Sequence, residues 1–239
     1  MARIIKSGIG NTVKNNYQKC MVRIGLYVFV ALLGASFVYF TYGISLILLL
    51  PLLFIKKERT KMLLLKHGIE GEIATTKALK RLPFRYYVCP DVVITNGSRK
   101  SQMDHVVVGP NGVFVVETKN HMGVIKGDDN DQAVLQKRKT ASGTQYARRF
   151  YSPMRQVSTH TRVITRLLEQ NGFDIVVQGI VYFSHPKAKV RVYSEDIPIY
   201  SAKRGGRRKM LRFIKHSRCM GRISQHECKI IARLIANHR

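Results

Sequence analysis

The pattern of apolar and polar residues divides the chain into a short basic start, a long apolar stretch and a mixed region. Ile24 to Ile55 contains no charged residue, and this run exceeds the roughly 20 apolar residues that one membrane helix needs. A cleavable signal peptide has an apolar core of only about 7 to 15 residues, so the run predicts a retained membrane anchor. The expected divisions are residues 1–23, 24–55 and 60–239.

Two membrane topologies fit the apolar stretch. Basic residues flank it on both sides, namely Arg3, Lys6, Lys14, Lys19 and Arg23 before it and Lys56, Lys57, Arg59 and Lys61 after it. The positive-inside rule therefore places both flanks in the cytoplasm. A tight hairpin that turns near Thr41–Gly43 satisfies this rule, whereas a single tilted helix violates it at one end. We favour the hairpin and keep the single span as the alternative.

Beyond Lys56 the pattern alternates between helical and strand periods, which predicts one mixed α/β domain. A helix is expected over Lys61–Leu82, interrupted or begun anew at Gly68–Glu72 and stopped by Pro83. Aromatic and β-branched residues then predict a strand over Tyr86–Ile94 and a hairpin over Met103–Lys119.

The second half of the domain reads as alternating helices and strands. Ser152 and Pro153 are typical of a helix start, and the helix is expected to end at Asn171–Gly172. The further expected strands are Val124–Ile125 as an extension of the meander, Asp174–Phe183, Val190–Tyr193 and Ile197–Tyr200, and the further helices are Arg207–Arg218 and Ser224–Asn237. No repeat or low-complexity linker indicates another domain.

Candidate chemistry lies in the hairpin. If Val108 faces Val113 across the turn, Asp104 lies opposite Glu117, and strand alternation puts Lys119 on the same face as Glu117. Like charges across a ladder are destabilising, so the pair calls for a cation between its carboxylates. Mg²⁺, or Mn²⁺ in its place, suits oxygen ligands of this kind and is completed by water and substrate phosphate.

These residue types match the needs of phosphodiester hydrolysis. A metal bound by Asp104, Glu117 and the backbone carbonyl of Thr118 would act as a template and a Lewis acid, and would lower the pKa of its water. Lys119 could orient the attacking water or stabilise the charged transition state. The alternative is an ordinary surface acid pair neutralised by a neighbouring lysine.

Two residues outside the hairpin are further candidates. Glu72, on the first helix, could supply another carboxylate, and Gln156, near the start of the Pro153 helix, could hold a water or a phosphate oxygen. Taken singly, a residue of either kind is more often a solvated helix position. Asp128, Asp129 and Asp131 lack the ligand pattern of a calcium loop and indicate a turn instead.

Charge narrows the class of partner. The chain has 239 residues with 41 Lys and Arg against 14 Asp and Glu, a net charge of +27. The first 59 residues hold 8 of the basic and 1 of the acidic residues, so the remainder carries about +20. Such a domain should bind polyanions, either nucleic acid or acidic lipid headgroups. Four cysteines without a CxxC pair are typical of a reducing compartment.

Ordered motifs in this domain resemble the nuclease-related domain, NERD. The motifs are Gly68–Glu72, Leu82–Pro83, Gln102–Val108, Gly109–Asn120, Gly123, and Ser152–Pro153 with Gln156. The resemblance covers about Lys66 to Phe183. NERD is regarded as a branch of the PD-(D/E)XK nuclease superfamily, which implies a restriction-endonuclease-like α/β core, with a central mixed sheet flanked by helices, and Mg²⁺-dependent cleavage of nucleic acid.

The resemblance also implies residue roles. Asp104 stands at the metal-binding aspartate, Glu117 at the (D/E) position, Lys119 at the lysine, Glu72 at the helix-borne acid and Gln156 at the glutamine of the Pro-x-x-Gln element. One region, Ala133 to Arg149, is heavily basic and does not align with the family pattern.

We therefore expect a Mg²⁺-dependent nuclease that acts on DNA in preference to RNA with weak sequence preference. The resemblance implies a bacterial inner membrane, with the nuclease domain in the cytoplasm. The alternative function is a non-catalytic, membrane-tethered protein that binds nucleic acid. A third reading has the basic C-terminal helices contact lipid headgroups, since 12 Lys and Arg lie between Lys203 and Arg239.

Overall fold

A computed structural model of the chain describes residues 1–6, 12–37, 44–96, 99–139, 143–217 and 223–237. The chain forms two compact units, one of Asn11–Glu70 and one of Met1–Gly10 with Gly71–Arg239. This division differs from the predicted boundaries, because the first residues of the chain join the unit that carries the sheets.

The smaller unit contains two antiparallel helical segments. Helix α1 spans Thr12–Ser36, a short 3₁₀ helix spans Ile44–Leu49, and helix α2 spans Leu52–Leu79. The rings of Tyr27 and Phe54 lie 6.4 Å apart, and Arg23 Nη1 lies 3.4 Å from Glu58 Oε1. Within the described residues, one helical stretch, Val13–Ser36, is long and apolar enough to cross a membrane. The predicted turn at Thr41–Gly43 falls outside the described residues.

Helix α2 is continuous, so the predicted interruption at Gly68–Glu72 was wrong. The helix keeps its backbone bonds through both glycines, and the hydroxyls of Thr75 and Thr76 donate to the carbonyls of Gly71 and Glu72, each at 2.9 Å. It ends at Leu79, ahead of Pro83, which cannot donate a helical hydrogen bond.

The larger unit is built on a mixed six-stranded sheet in the order β1-β2-β3-β4-β8-β10. Its strands are β1 (Arg3–Ile4), β2 (Tyr87–Asn96), β3 (Arg99–Gly109), β4 (Gly112–Lys119), β8 (Val177–Phe183) and β10 (Ile199–Ser201). Strands β2, β3 and β4 are antiparallel neighbours, whereas β8 runs parallel to both β4 and β10. The mixed α/β class predicted from the sequence is confirmed.

The β3–β4 hairpin has the predicted register. Val108 pairs with Val113 and Gly109 with Gly112. Its turn is held by Asn111, whose Nδ2 donates to the carbonyls of Ile214 and Ser217 at 2.6 and 2.8 Å. The strand that carries the candidate residues is therefore anchored at the end opposite to them.

Helices cover both faces of the six-stranded sheet. They are α3 (Pro153–Gln170), α4 (Gly206–His216) and α5 (Gln225–Asn237) together with the end of α2. One core joins α3 and α5 to the sheet through residues such as Val157 and Ile231, and the other joins α2 and α4 through Leu79 and Met210. The start of α5 carries a reciprocal cap, because Ser224 N donates to Glu227 Oε2 at 2.8 Å and Glu227 N donates to Ser224 Oγ at 3.2 Å.

The N-terminal residues form an edge strand, although the sequence pattern indicated only a basic tail. Arg3 pairs with Tyr87 and Ile4 with Val88 in parallel, and Ala2 is buried. In the sequence β1 precedes α1 and β2 follows α2, so this parallel pairing is a long-range one.

A second, four-stranded sheet has the order β7-β6-β5-β9. Its strands are β5 (Gly123–Gly127), β6 (Ala133–Lys139), β7 (Gln145–Tyr151) and β9 (Ala188–Val192). The sequence did not predict it, because β5 was expected to extend the first meander and β6 and β7 lay in the region without a family match. The Asp128–Asp131 segment is a turn between β5 and β6, as predicted.

Candidate active site

Glu117 and Lys119 form the centre of the candidate site. Alternation along β4 turns both side chains toward α3, whose first turn carries Gln156. Lys119 Nζ donates to Glu117 Oε1 at 2.7 Å and to Gln156 Oε1 at 2.9 Å. The Glu117 side chain is only 1% exposed and that of Lys119 19% exposed, so the ion pair is largely shielded from water.

Asp104 joins this centre through a hydrogen bond that the sequence did not predict. The ladder between β3 and β4 runs as far as the pair His105 and Val116. At the next position the carboxylate of Asp104 meets β4, and its Oδ2 accepts a hydrogen bond from the Thr118 backbone N–H at 2.7 Å. The side chain thereby satisfies a donor at the point where the ladder stops.

Burial and neighbouring charges shift the pKa values of Asp104 and Glu117 in opposite directions. Burial, reinforced by the charge of Glu117, raises the pKa of Asp104 well above its usual value. Burial alone would also raise the pKa of Glu117, but contacts with His160 and Lys119 outweigh it and lower that pKa. Glu117 is therefore ionised at neutral pH, whereas Asp104 in the metal-free protein holds its proton to higher pH.

Glu72 reaches the same electrostatic environment from α2. Burial, with the charges of Asp91 and Glu117, raises the pKa of Glu72 to about 7. The preceding Gly71 explains how the helix comes this close, because a Cβ there would lie 2.6 Å from Asn120 Cβ and 3.0 Å from Ser184 Oγ.

Two residues beside the pair face the other side of the sheet. Thr118 Oγ1 donates to Thr75 Oγ1 of α2 at 3.1 Å, so its side chain points away from Glu117. His105 Nε2 lies 2.7 Å from Thr76 Oγ1. Burial lowers the pKa of His105 to about 4, so the buried imidazole is neutral at pH 7. The role of the Thr118 carbonyl stays a prediction.

His160 is a site residue that the sequence reasoning missed. It lies one helical turn after Gln156 on α3, and its Nδ1 is 3.4 Å from Glu117 Oε2. The spacing of four residues on one helix was the available signal, because it places both side chains on the same face.

Asp91 was also missed. It is buried on β2, its φ is +49°, and its Oδ1 accepts a hydrogen bond from Gln102 Nε2 at 2.8 Å. A positive φ is uncommon for a residue other than glycine, and such backbone strain is found often at functional sites. Nothing in the strand pattern around Asp91 predicts this conformation.

The donor set at this centre fits a hard divalent cation. Glu117 Oε2 is buried and, within the described residues, meets His160 Nδ1 at 3.4 Å, and the charge of Glu117 acts on the Asp104 carboxyl. Mg²⁺ commonly uses only one or two protein carboxylates and keeps several waters. Among the described residues, no group of three or more His, Cys, Asp or Glu side chains is arranged to hold a metal ion. A site of two carboxylates completed by water and phosphate is compatible with these residues.

Comparison with known proteins agrees with these features. The sequence profile of the nuclease-related domain, NERD, matches residues 67–184. An uncharacterized protein of Bacillus anthracis is 32% identical over 138 residues, which are 54% of this chain and 59% of that protein. The chain thus spans about six tenths of the length of this relative. No solved structure matches the chain significantly.

The matched region contains the whole helix-to-sheet arrangement around Glu117. It includes Glu72, Asp104, Lys119 and Gln156, and it ends just after β8. Residues 67–184 of this chain therefore match the nuclease-related domain.

Proposed function

We propose that the chain is a membrane-anchored, metal-dependent nuclease that hydrolyses phosphodiester bonds of nucleic acid, with DNA preferred to RNA. The observation that carries the proposal is the buried contact of Lys119 with both Glu117 and Gln156, next to the Asp104 carboxylate. An exposed acid pair neutralised by a lysine would not require burial or a third partner on α3.

Asp104 and Glu117 would hold Mg²⁺ or Mn²⁺, with the Thr118 carbonyl and Glu72 as further candidate ligands. When bound, the ion would polarise the phosphoryl oxygen and lower the pKa of a bound water. The protein contributes the fixed carboxylates. Because ligands must be deprotonated, the raised pKa of Asp104 means that metal affinity should increase with pH.

Lys119 has one hydrogen-bond donor left for the substrate. An ammonium carries three N–H donors, and two of them are used by Glu117 and Gln156. The third can orient the attacking water or donate to a phosphate oxygen as negative charge develops there. Gln156 would keep the lysine in this orientation while the bond between phosphorus and the leaving ester oxygen breaks.

The membrane assignment rests on the smaller unit. Apolar side chains of α1 are exposed, among them Leu26, Phe29 and Leu32 at 55%, 59% and 62%. Exposure of such an apolar surface to water is unfavourable, whereas the lipid tails of a bilayer would cover it. Strand β1 lies before the apolar unit and pairs with β2 after it, which supports a hairpin that enters and leaves the membrane on one side. We propose the cytoplasmic face of a bacterial inner membrane.

The topology has its own test. Cysteines introduced as Lys6→Cys and Lys66→Cys should react with a membrane-impermeant maleimide from the same side of oriented vesicles. Labelling from opposite sides would contradict the hairpin and favour a single span.

The nuclease activity is tested with supercoiled plasmid and the full chain in mild detergent. We expect nicking with Mg²⁺, none with EDTA, and none from Asp104→Asn or Lys119→Ala. Asp128→Asn is the matched control, because it removes a carboxylate from an exposed turn. Equal plasmid binding by all four proteins without cleavage would favour the alternative, a non-catalytic tether for nucleic acid.

A further inference from the structure

The β6–β7 hairpin is a strongly basic segment that the proposed active site does not use. We name its described strands, residues 133–139 and 145–151, the cationic hairpin. They contain Lys137, Arg138, Lys139, Arg148 and Arg149 and no acidic residue. All five side chains are exposed, and none of them forms an ion pair with a carboxylate within the described part of the chain.

Strand register separates these charges onto two faces. Val134 pairs with Phe150, Gln136 with Arg148 and Arg138 with Tyr146, so these six side chains share one face. Val134 and Phe150 belong to the core, which identifies this side as the inner face. Lys137, Lys139 and Arg149 lie on the outer face.

The inner face contacts the segment that follows Lys119. The ring of Phe150 lies 4.4 Å from that of His121. Gln136 Nε2 donates to the Met122 carbonyl at 2.8 Å, and Arg138 Nη1 lies 4.0 Å from Met122 Sδ. His121 and Met122 follow Lys119, the last residue of β4, by two and three residues. The arginines of the inner face therefore lie near the C-terminal end of β4.

Electrostatics support this proximity. Burial, followed by the charges of Lys119, Arg148 and Arg138, lowers the pKa of His121 to about 4. Lys119 and both arginines are thus each close enough to His121 to act on its imidazole. His121 stays neutral at pH 7, and the guanidinium groups supply the positive charge beside the centre.

The inner face also has an ordered arginine. The guanidinium carbon of Arg138 lies 5.1 Å from the centre of the Tyr146 ring, a distance typical of a cation–π contact. Stacking of this kind leaves the edge of the guanidinium available for hydrogen bonds, and arginine binds phosphate through two parallel N–H groups.

We propose that Arg138 and Arg148 bind backbone phosphates of nucleic acid next to the bond held at Lys119, and so position the substrate for cleavage. This inference rests on the proposed nuclease function. It assigns the positioning to the inner face of the cationic hairpin, and it leaves Lys137 and Lys139 as outward charges that do not touch the bound strand.

Two double variants test the assignment with equal loss of charge from one hairpin. Arg138→Gln with Arg148→Gln changes the inner face, and Lys137→Gln with Lys139→Gln changes the outer face. The full chain in detergent is titrated with a fluorescein-labelled DNA duplex in EDTA at several salt concentrations. The single-turnover cleavage rate at saturating protein is then measured with Mg²⁺.

For the inner variant we expect the slope of log affinity against log salt to become less steep by about 2, since each lost phosphate contact removes about 0.9. We also expect the saturating cleavage rate to fall at least about tenfold, because small displacements of a substrate are costly in rate. The outer variant should keep a saturating rate within about twofold of wild type. Equal rates for the two variants would overturn the proposal.

A conservative double variant distinguishes a positioning role of the two arginines from an effect of their charge alone. Arg138→Lys with Arg148→Lys should restore the salt slope and only part of the cleavage rate, because lysine cannot form the two parallel bonds. Full restoration of the rate would contradict a positioning role. All these side chains are exposed, so thermal unfolding should be unchanged and serves as the folding control.

Failure of this inference is distinguishable from failure of the nuclease function. If the wild type cleaves and both double variants behave alike, the nuclease stands and the inner-face assignment falls. If the wild type binds without cleaving and only the inner variant has the shallower salt slope, the binding surface stands and the nuclease function falls.

Discussion

The two sheets of the larger unit use charge in opposite ways. On the six-stranded sheet, Glu117 and Lys119 are buried, paired and joined by Gln156. On the four-stranded sheet, basic side chains such as Lys137 and Arg149 point into solvent. Buried charges carry large individual energies and fixed geometry, whereas exposed charges are individually weak and act by number. The first arrangement suits chemistry on one bond, and the second suits attraction of a polyanion.

The largest effect on stability should come from breaking the buried pair. Lys119→Met would leave Glu117 as a buried charge without its main partner, which should lower the free energy of unfolding by about 3–5 kcal/mol. Urea unfolding followed by tyrosine fluorescence measures the change. The double variant Glu117→Gln with Lys119→Met should recover most of the loss. A single variant as stable as the wild type would show that the pair is not effectively buried.

The next effect is a pH dependence that belongs to Glu72 in metal-free protein. Its pKa is raised from 4.5 to about 7 in the folded state, so folding is penalised as pH rises through this window. The contribution of Glu72 to the free energy of unfolding is fully present below about pH 4.5 and is lost above about pH 7. The free energy of unfolding changes by on the order of 3 kcal/mol across this window.

The comparison of wild type with Glu72→Gln in EDTA isolates this group. His105 and His121 have lowered pKa values and act in the opposite direction, but they contribute equally to both proteins. The variant should gain stability relative to the wild type between pH 4.5 and 7, measured by urea unfolding. A stability difference that does not change with pH would contradict the buried position of Glu72.

A smaller effect on stability is expected from alanine substitution of two glycines in α2. Gly71→Ala would press a methyl group against Asn120 and Ser184, which should cost about 1–3 kcal/mol and displace Glu72. Gly68→Ala is the matched control, because the nearest atom is Val13 Cγ1 at 3.9 Å. Alanine favours helix more than glycine, so this variant should be up to about 1 kcal/mol more stable. Equal thermal shifts for the two variants would argue against the close approach.

The smallest effect on stability belongs to the exposed hairpin. Lys137→Gln should change the free energy of unfolding by less than about 0.5 kcal/mol, since its side chain is exposed and unpaired with any described carboxylate. The same substitution should weaken the first, nonspecific encounter with DNA at low salt, measured as an association rate. A large loss of stability would remove the contrast between the two sheets.

The sequence was sufficient where local signals set the geometry. The turn Gly109–Gly112 and the valines beside it fixed the register of the β3–β4 hairpin, and hence the place of Glu117 and Lys119. Ser152 and Pro153 correctly marked the start of α3, although the Ser152 side chain makes no capping hydrogen bond. The family match at residues 67–184 confirms the resemblance that these motifs carried.

Nonlocal pairing accounts for most of what the sequence did not predict. Strand β5 pairs with β9 more than 60 residues away, with Gly123 opposite Ala188, and β1 pairs with β2 across the apolar unit, with Arg3 opposite Tyr87. Hydrophobic periodicity and turn residues indicate only structure that is local in the sequence. Neither of these long-range pairings could therefore be predicted from them. The left-handed Asp91 backbone is likewise imposed by its surroundings.

The most direct test of the metal centre is the number of Mn²⁺ ions bound per chain, measured from the free-ion signal in electron paramagnetic resonance. The wild type should bind Mn²⁺ more tightly as pH rises, because Asp104 must lose its proton first. Asp104→Asn and Glu117→Gln should each abolish this binding, and Asp128→Asn should preserve it. Unchanged Mn²⁺ binding in the first two variants would contradict a metal-dependent centre at these carboxylates.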